Sequence, residues 1–174
     1  QPHMYQQVKG LNTKNIPLIL LSTASASVLD YYEGPVYIAY QKGYDRAEEK
    51  AEQIGVMTFE TGGSVTTTAL DIALQFQAEN VIFVGVDLAY TGGASHAEGV
   101  GRTITDTENL RKVTSCSGGE VYTSKNLDIY RKWIERRIRN VKDTVIYNTG
   151  NGARIEGAEW KTWEEINNEI LNIR

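Results

Sequence analysis

The chain has 174 residues, 41% of them hydrophobic and 23% charged, which suits one ordinary globular core. A formal net charge of -4 excludes a global field that would draw it to nucleic acid or anionic lipid, and no apolar run is as long as a membrane span. A single cysteine, Cys116, excludes an intramolecular disulfide framework and fits a reducing cytoplasm.

Gln1-Pro2-His3-Met4 reads as an expression scar, so His3 is set aside. Residues 5–174 are expected to form a single α/β domain. The chain opens without a strand of its own, which suggests an excised fragment. Tyr5 to Lys14 is polar, a helix tail or a loop. Pro17-Leu-Ile-Leu-Leu21 reads as a buried strand ending in the small polar turn Ser22 to Ser27. Val36-Tyr-Ile-Ala39 reads as a second strand. Asp45 and Glu48 carry a capping-box signature for a helix that stops at Gly55, and Val56-Met-Thr-Phe59 is a third strand.

Ser64 is the expected N-cap of the next helix, with Val65, Ala69, Ile72, Ala73 and Phe76 marking its apolar face. Val81 to Val86 is a continuous apolar run, as for a strand covered on both faces. Asp87 to Gly119 reads as one long polar loop, a length that usually carries function. Ser124 caps a helix with the stripe Leu127, Tyr130, Ile134, Ile138 and Val141. The opposite, basic face of Lys125, Arg131, Lys132, Arg136, Arg137 and Arg139 is most simply a solvated one. Thr144 to Tyr147 is a strand that runs into a second glycine-rich loop, Asn148 to Gly157. Thr162 and Glu165 cap a last helix. Strands alternating with helices predict a Rossmann-like α/β three-layer sandwich with a largely parallel sheet.

Two segments carry the chemistry. Thr61-Gly62-Gly63-Ser64 opens a helix, where backbone N–H groups and the positive dipole end suit a phosphate or carboxylate. The hydroxyls of Thr61, Ser64 and Thr66 add donors, and three successive threonines are poor helix formers. A tight strand-to-helix turn with an ordinary serine cap would use the same residues. Asp87 stands at a strand end, where it would orient a sugar hydroxyl or a catalytic partner, or else bond loop amides. Tyr90 would stabilise a leaving phosphate or pack as an aromatic lid. His96 in the Gly/Ser loop is an acid–base or phosphate-contact candidate. Asn148, Asn151 and Gly152 follow another strand end and would form a pocket rim or a turn. One loop histidine and one cysteine give no zinc-ligand spacing, so no metal is expected there.

Gly62-Gly63-Ser64-Val65, the helix after it, Ile82 to Gly93 and His96-Ala97-Glu98-Gly99 together resemble the motility-accessory-factor (Maf) family of flagellin glycosyltransferases. The same domain family includes archaeal 6-hydroxymethylpterin diphosphokinase-like (MptE-like) proteins. Tyr122-Thr123-Ser124, the helix to Val141 and Gly152 to Gly157 extend the likeness over roughly residues 16–157. Thr61-Gly62-Gly63 and Val86 to Tyr90 also distantly resemble bacterial sialyltransferases that use CMP-activated sugars. The family's upstream half, with a Gly-Pro-Ser-Leu type loop, has no counterpart here, so the chain resembles the C-terminal part of the catalytic domain.

By that resemblance, Thr61, Gly62, Gly63, Ser64 and Thr66 would bind nucleotide and Asp87, Tyr90 and His96 would be catalytic, with Asn148 and Gly152 at the rim. The implied reaction moves a sialic-acid-like nonulosonic sugar from a CMP-sugar to flagellin Ser or Thr in the cytoplasm, without a cofactor. Two alternatives stand beside it. One is a Mg-dependent pyrophosphokinase acting on 6-hydroxymethylpterin, with Asp87, Glu98 and Asp106 as the available carboxylates. The other is a non-catalytic nucleotide-sugar binding module. The exposed sheet edge of such a fragment is a surface for homo-oligomer formation.

Overall fold

In the computed structural model, residues 4–91 and 110–171 are described. They divide into two compact units, Gln1–Thr61 and Gly62–Arg174.

The first unit holds a parallel sheet in the order β1-β2-β3, with β1 at Leu18–Leu21, β2 at Val36–Gln41 and β3 at Thr58–Phe59. Helix α1, Asp45–Ile54, is the crossover between β2 and β3 and buries Ala47 and Ala51. Gly55 ends it in the left-handed region (φ 71°), its amide bonded to the Ala51 and Glu52 carbonyls, as the sequence predicts. The start differs from expectation. Asp45 is already inside the helix, and Tyr44 is the cap residue, without a side-chain bond. Glu48 instead accepts from the Gly43 amide at 2.8 Å, because only its longer side chain reaches back past the cap. The turn after β1 is also more regular than expected, since Ala26–Tyr31 winds into a 3-10 helix that buries Val28.

The second unit is built around helix α2 (Val65–Gln75), strand β4 (Asn80–Phe83), helix α3 (Lys125–Ile138) and strand β7 (Val145–Asn148). A short strand β8, Glu159–Trp160, completes a second parallel sheet in the order β4-β7-β8. Its core joins Leu70 of α2, Phe83 of β4, Ile134 and Ile138 of α3, Ile146 of β7 and Ile155. Parallel strands linked through helices give the Rossmann-like α/β class that the sequence predicts.

Three expectations are corrected here. Strand β4 stops at Phe83, and Val84 is 63% exposed, because the chain turns at Gly85 (φ 67°) and Leu88 (φ 50°). The region read as one loop to Gly119 ends in an antiparallel hairpin, β5 (Arg111–Thr114) and β6 (Glu120–Thr123), closed through Gly118 and Gly119 at positive φ. The buried face of α2 is Thr67, Thr68, Leu70 and Asp71, whereas Val65 and Phe76 are 82% and 64% exposed. Apolar spacing misleads because hydrogen bonding, not oil, fills much of that face. Asp71, fully buried, accepts from Arg137 Nε at 2.7 Å and from Gln75 Nε2 at 2.6 Å, and so ties α2 to α3.

The basic face of α3 is likewise not simply solvated. Asp128, only 3% exposed, accepts from Arg131 at 2.7 Å, Lys132 at 2.9 Å and Arg111 at 3.4 Å. Arg131 also meets Glu135 at 2.6 Å. Burial alone would raise the Asp128 carboxyl, but the hydrogen bonds and charges of Lys132 and Arg131 outweigh it and hold it below its ordinary range. The last helix, α4 (Trp163–Ile166), starts in the predicted capping box. Thr162 Oγ1 accepts from the Glu165 amide at 3.2 Å, and Glu165 accepts from the Thr162 amide at 2.7 Å. Among the described residues, no helix is long and apolar enough to cross a membrane.

Candidate functional site

In the second unit, α2 runs into β4 through four residues and α3 into β7 through six. Each helix runs opposite to the strand after it, so the starts of both helices lie toward the C-terminal ends of β4 and β7. Open α/β sheets receive ligands at that end.

The turn into α2 is closed by hydrogen bonds of its own. Ser64, extended at φ -133° and ψ 157°, accepts from the Thr67 amide at 3.3 Å, and Thr67 Oγ1 accepts from the Ser64 amide at 3.3 Å. The same buried hydroxyl accepts from the Gly62 amide at 2.9 Å and donates to the Ser64 carbonyl at 2.6 Å. The expected Ser64 cap is present, but two amides expected to face an anion point inward to Thr67. The amides of Val65 and Thr66, and the Thr66 hydroxyl, stay outside this network.

Both glycines have packing reasons. A Cβ on Gly62 would lie 2.6 Å from ring carbons of Trp133, and Gly63 adopts φ +94° with the Tyr130 ring 3.2 Å from a Cβ there. Thr61 is the last residue of the first unit.

The loop after β7 closes on Asp87. The Asp87 carbonyl accepts from the Ala153 amide at 2.8 Å, and its Oδ1 accepts from the Asn151 amide at 3.2 Å. A Cβ on Gly152 would run into the Asp87 carbonyl and lie 2.6 Å from its Cα, so only glycine fits. Asn148, 2% exposed, accepts from the Gly150 amide at 3.0 Å and donates to Cys116 Sγ at 3.5 Å. Thr149 seals the strand ends by donating to the Phe83 carbonyl from its amide and its hydroxyl, both at 3.0 Å. The predicted residues Asp87, Asn148 and Gly152 are therefore brought together.

Tyr90 stands three residues beyond Asp87, its amide donating to the Tyr122 carbonyl of β6 at 2.8 Å. Thr123 steadies the same stretch by donating to the Leu88 carbonyl at 2.7 Å. His96, Glu98 and Asp106 lie outside the described residues. Among the described residues, no group of three or more His, Cys, Asp or Glu converges as a metal site.

Two residues at this locus escape sequence reasoning. Cys116 donates weakly to the Ala153 carbonyl at 3.4 Å. Burial first, and then the Asp87 charge, push its thiol above the ordinary value, which keeps it neutral and unsuited to nucleophilic attack. Trp160 donates from Nε1 to the Gly150 carbonyl at 2.9 Å. A lone cysteine just after β5 and a tryptophan in a two-residue strand carry no sequence pattern that would have found them.

The result is a carboxylate four residues beyond the end of β4, held by the loop that leaves the neighbouring parallel strand β7, with two helix starts directed to the same end. Such an arrangement suits a ligand that carries hydroxyls for the carboxylate and negative charge for the dipoles. It is the strand-end region of a Rossmann-like α/β fold. The chain belongs to the 6-hydroxymethylpterin diphosphokinase MptE-like family, whose model matches residues 1–93. A solved structure of a Maf glycosyltransferase from Magnetospirillum magneticum AMB-1 shares its fold, with a TM-score of 0.62 and 17% sequence identity. That match covers 85% of this chain and 26% of the other, so the chain spans about a quarter of the length of that protein. Both agree with the resemblance read from the sequence. A comparison with curated proteins gives no match.

Proposed function

We propose that this chain is the nucleotide-sugar-binding part of a glycosyltransferase that moves a nonulosonic, sialic-acid-like sugar from a CMP donor to Ser or Thr of flagellin in the cytoplasm. The observation that carries the reading is Asp87, held by the Asn148–Gly152 loop where β4 and β7 end. Its Oδ1 is engaged by the Asn151 amide, which leaves Oδ2 to accept from sugar hydroxyls. The glycosyl shift breaks the bond between the anomeric carbon and the phosphate oxygen of CMP. Positive charge grows on the sugar and negative charge on the phosphate, while a base takes the acceptor hydroxyl's proton. Tyr90 and His96 serve the departing phosphate in this reading. The turn from Gly62 to Thr66 serves the nucleotide, chiefly through the Thr66 hydroxyl, the Val65 and Thr66 amides and the α2 dipole, because Gly62 and Ser64 direct their amides to Thr67.

The description of the matching family favours a second reading, Mg-dependent pyrophosphate transfer to 6-hydroxymethylpterin. Calorimetric titration with CMP, GTP and ATP, each with Mg²⁺ and with EDTA, separates the two. The glycosyltransferase reading expects CMP binding that persists in EDTA and a weaker CMP-sugar affinity in Asp87→Asn. Binding of a triphosphate only with Mg²⁺ sinks it in favour of the second. Nucleotide-sugar binding without any transfer to a flagellin peptide, by the chain joined to the rest of its protein, leaves a non-catalytic binding module.

A further inference from the structure

Trp160 combines an anchored edge with an open face. In the β7–β8 pairing it stands opposite Asn148, so both side chains leave the sheet on the same side, about 5 Å apart at the backbone. Its indole N–H is satisfied by the Gly150 carbonyl at 2.9 Å, yet the residue remains 43% exposed. Gly150 is also where Asp87 arrives, since a Cβ on it would lie 3.1 Å from Asp87 Oδ1 and 3.1 Å from Asn148 Oδ1. One glycine thus adjoins the carboxylate, the amide and the indole.

The ring's exposure has no polar cause, because its single polar atom is already bonded. Nor is it the exposure of a loose side chain, because the hydrogen bond tethers one edge of the indole. A held aromatic face loses little conformational freedom when a flat ligand settles on it. Trp163, 53% exposed three residues later, has no such tether.

We propose that Trp160 is the stacking platform of the strand-end site and takes the pyrimidine ring of the nucleotide while Asp87 takes hydroxyls. This inference rests on the nucleotide reading of the site. The indole N–H signals of the full ¹⁵N-labelled chain, titrated with CMP, test it, with the Trp160 signal identified by its absence from Trp160→Phe. The Trp160 signal is expected to shift on saturation while that of Trp163 stays in place. Trp160→Ala is expected to weaken CMP binding by about fivefold to a hundredfold, the range of base–aromatic stacking, and Trp160→Phe by no more than about threefold. Ribose 5-phosphate, which lacks the base, is expected to bind the wild type and Trp160→Ala equally. No CMP binding by the wild-type chain overturns the nucleotide reading and this inference together. CMP binding with the Trp160 signal unmoved, or with undiminished affinity in a folded Trp160→Ala, overturns this inference alone.

Discussion

The turn into α2 and the loop after β7 are written in the same alphabet of glycine, hydroxyl and amide residues, but they spend it differently. At the turn, the glycines make room for the rings of Trp133 and Tyr130, and the Thr67 hydroxyl gathers the amides inward. At the loop, the glycines make room for Asp87, and the Asn151 amide holds its carboxylate while the Ala153 amide holds its carbonyl. A glycine that accommodates an apolar ring serves packing first. A glycine that accommodates a charged residue's backbone positions chemistry.

The severest test of this contrast is Gly152→Ala. Its Cβ would meet backbone atoms of Asp87, which cannot swing aside as a side chain can. The expected cost is about 3 kcal/mol or more, at or above the top of the overpacking range, read as a lower urea midpoint. A cost under about 1 kcal/mol would show that the loop does not hold Asp87 rigidly.

Gly62→Ala comes next, at about 2 kcal/mol, because the obstacle is the Trp133 ring. If packing is the reason for that glycine, a second change of Trp133→Leu relieves the clash. The double variant is then more stable than the sum of the single losses predicts. Strict additivity would mean that Gly62 serves something other than the ring.

What the sequence made legible follows the same division. Features set by one residue and its neighbours were readable: the Ser64, Ser124 and Thr162 caps and the Gly55 stop all stand where predicted. Asp87, Asn148 and Gly152 could also be picked out as polar or glycine residues that follow apolar runs, and the loop after β7 brings them together, although β4 itself stops at Phe83 rather than at Asp87. Features set by partners far along the chain were not. Val65 and Phe76 fit a helical apolar stripe, yet α2 turns Thr67 and Asp71 inward because Gly62 and Arg137 supply their partners. Trp160 is invisible for the same reason, as its role depends on Gly150 ten residues away and on a register no local pattern encodes.

The ion pairs of α3 give a smaller effect with a defined pH window. Asp128 is held below its ordinary 3.8 by Lys132 and Arg131 against the opposing pull of burial. Its contribution to stability is therefore complete above about pH 4 and is lost as pH falls through the lower folded value. Asp128→Asn is expected to cost about 1–2 kcal/mol at pH 7, below the usual penalty for breaking a buried pair because Lys132 and Arg111 retain access to water. Urea midpoints of wild type and variant should converge as pH drops below 4. A gap that stays constant to pH 2 would mean that packing, not charge, carries the difference.

The smallest stability effect is expected at the residue given the largest functional role. Asp87→Asn keeps the volume, the backbone bond to Ala153 and an oxygen for the Asn151 amide, so its urea midpoint should move by less than about 0.5 kcal/mol. Its ligand affinity should nevertheless fall about tenfold or more, because an amide accepts from hydroxyls less strongly than a carboxylate does. Ser64→Ala provides the opposite case: it removes a helix cap worth about 1 kcal/mol while touching no group assigned to sugar hydroxyls. Measured together by urea unfolding and calorimetry, the two substitutions should separate the stability lost with the Ser64 cap from the hydroxyl recognition lost with the Asp87 carboxylate. If Asp87→Asn instead destabilises the fold and leaves affinity unchanged, the loop after β7 is as much a packing device as the turn, and the contrast between them fails.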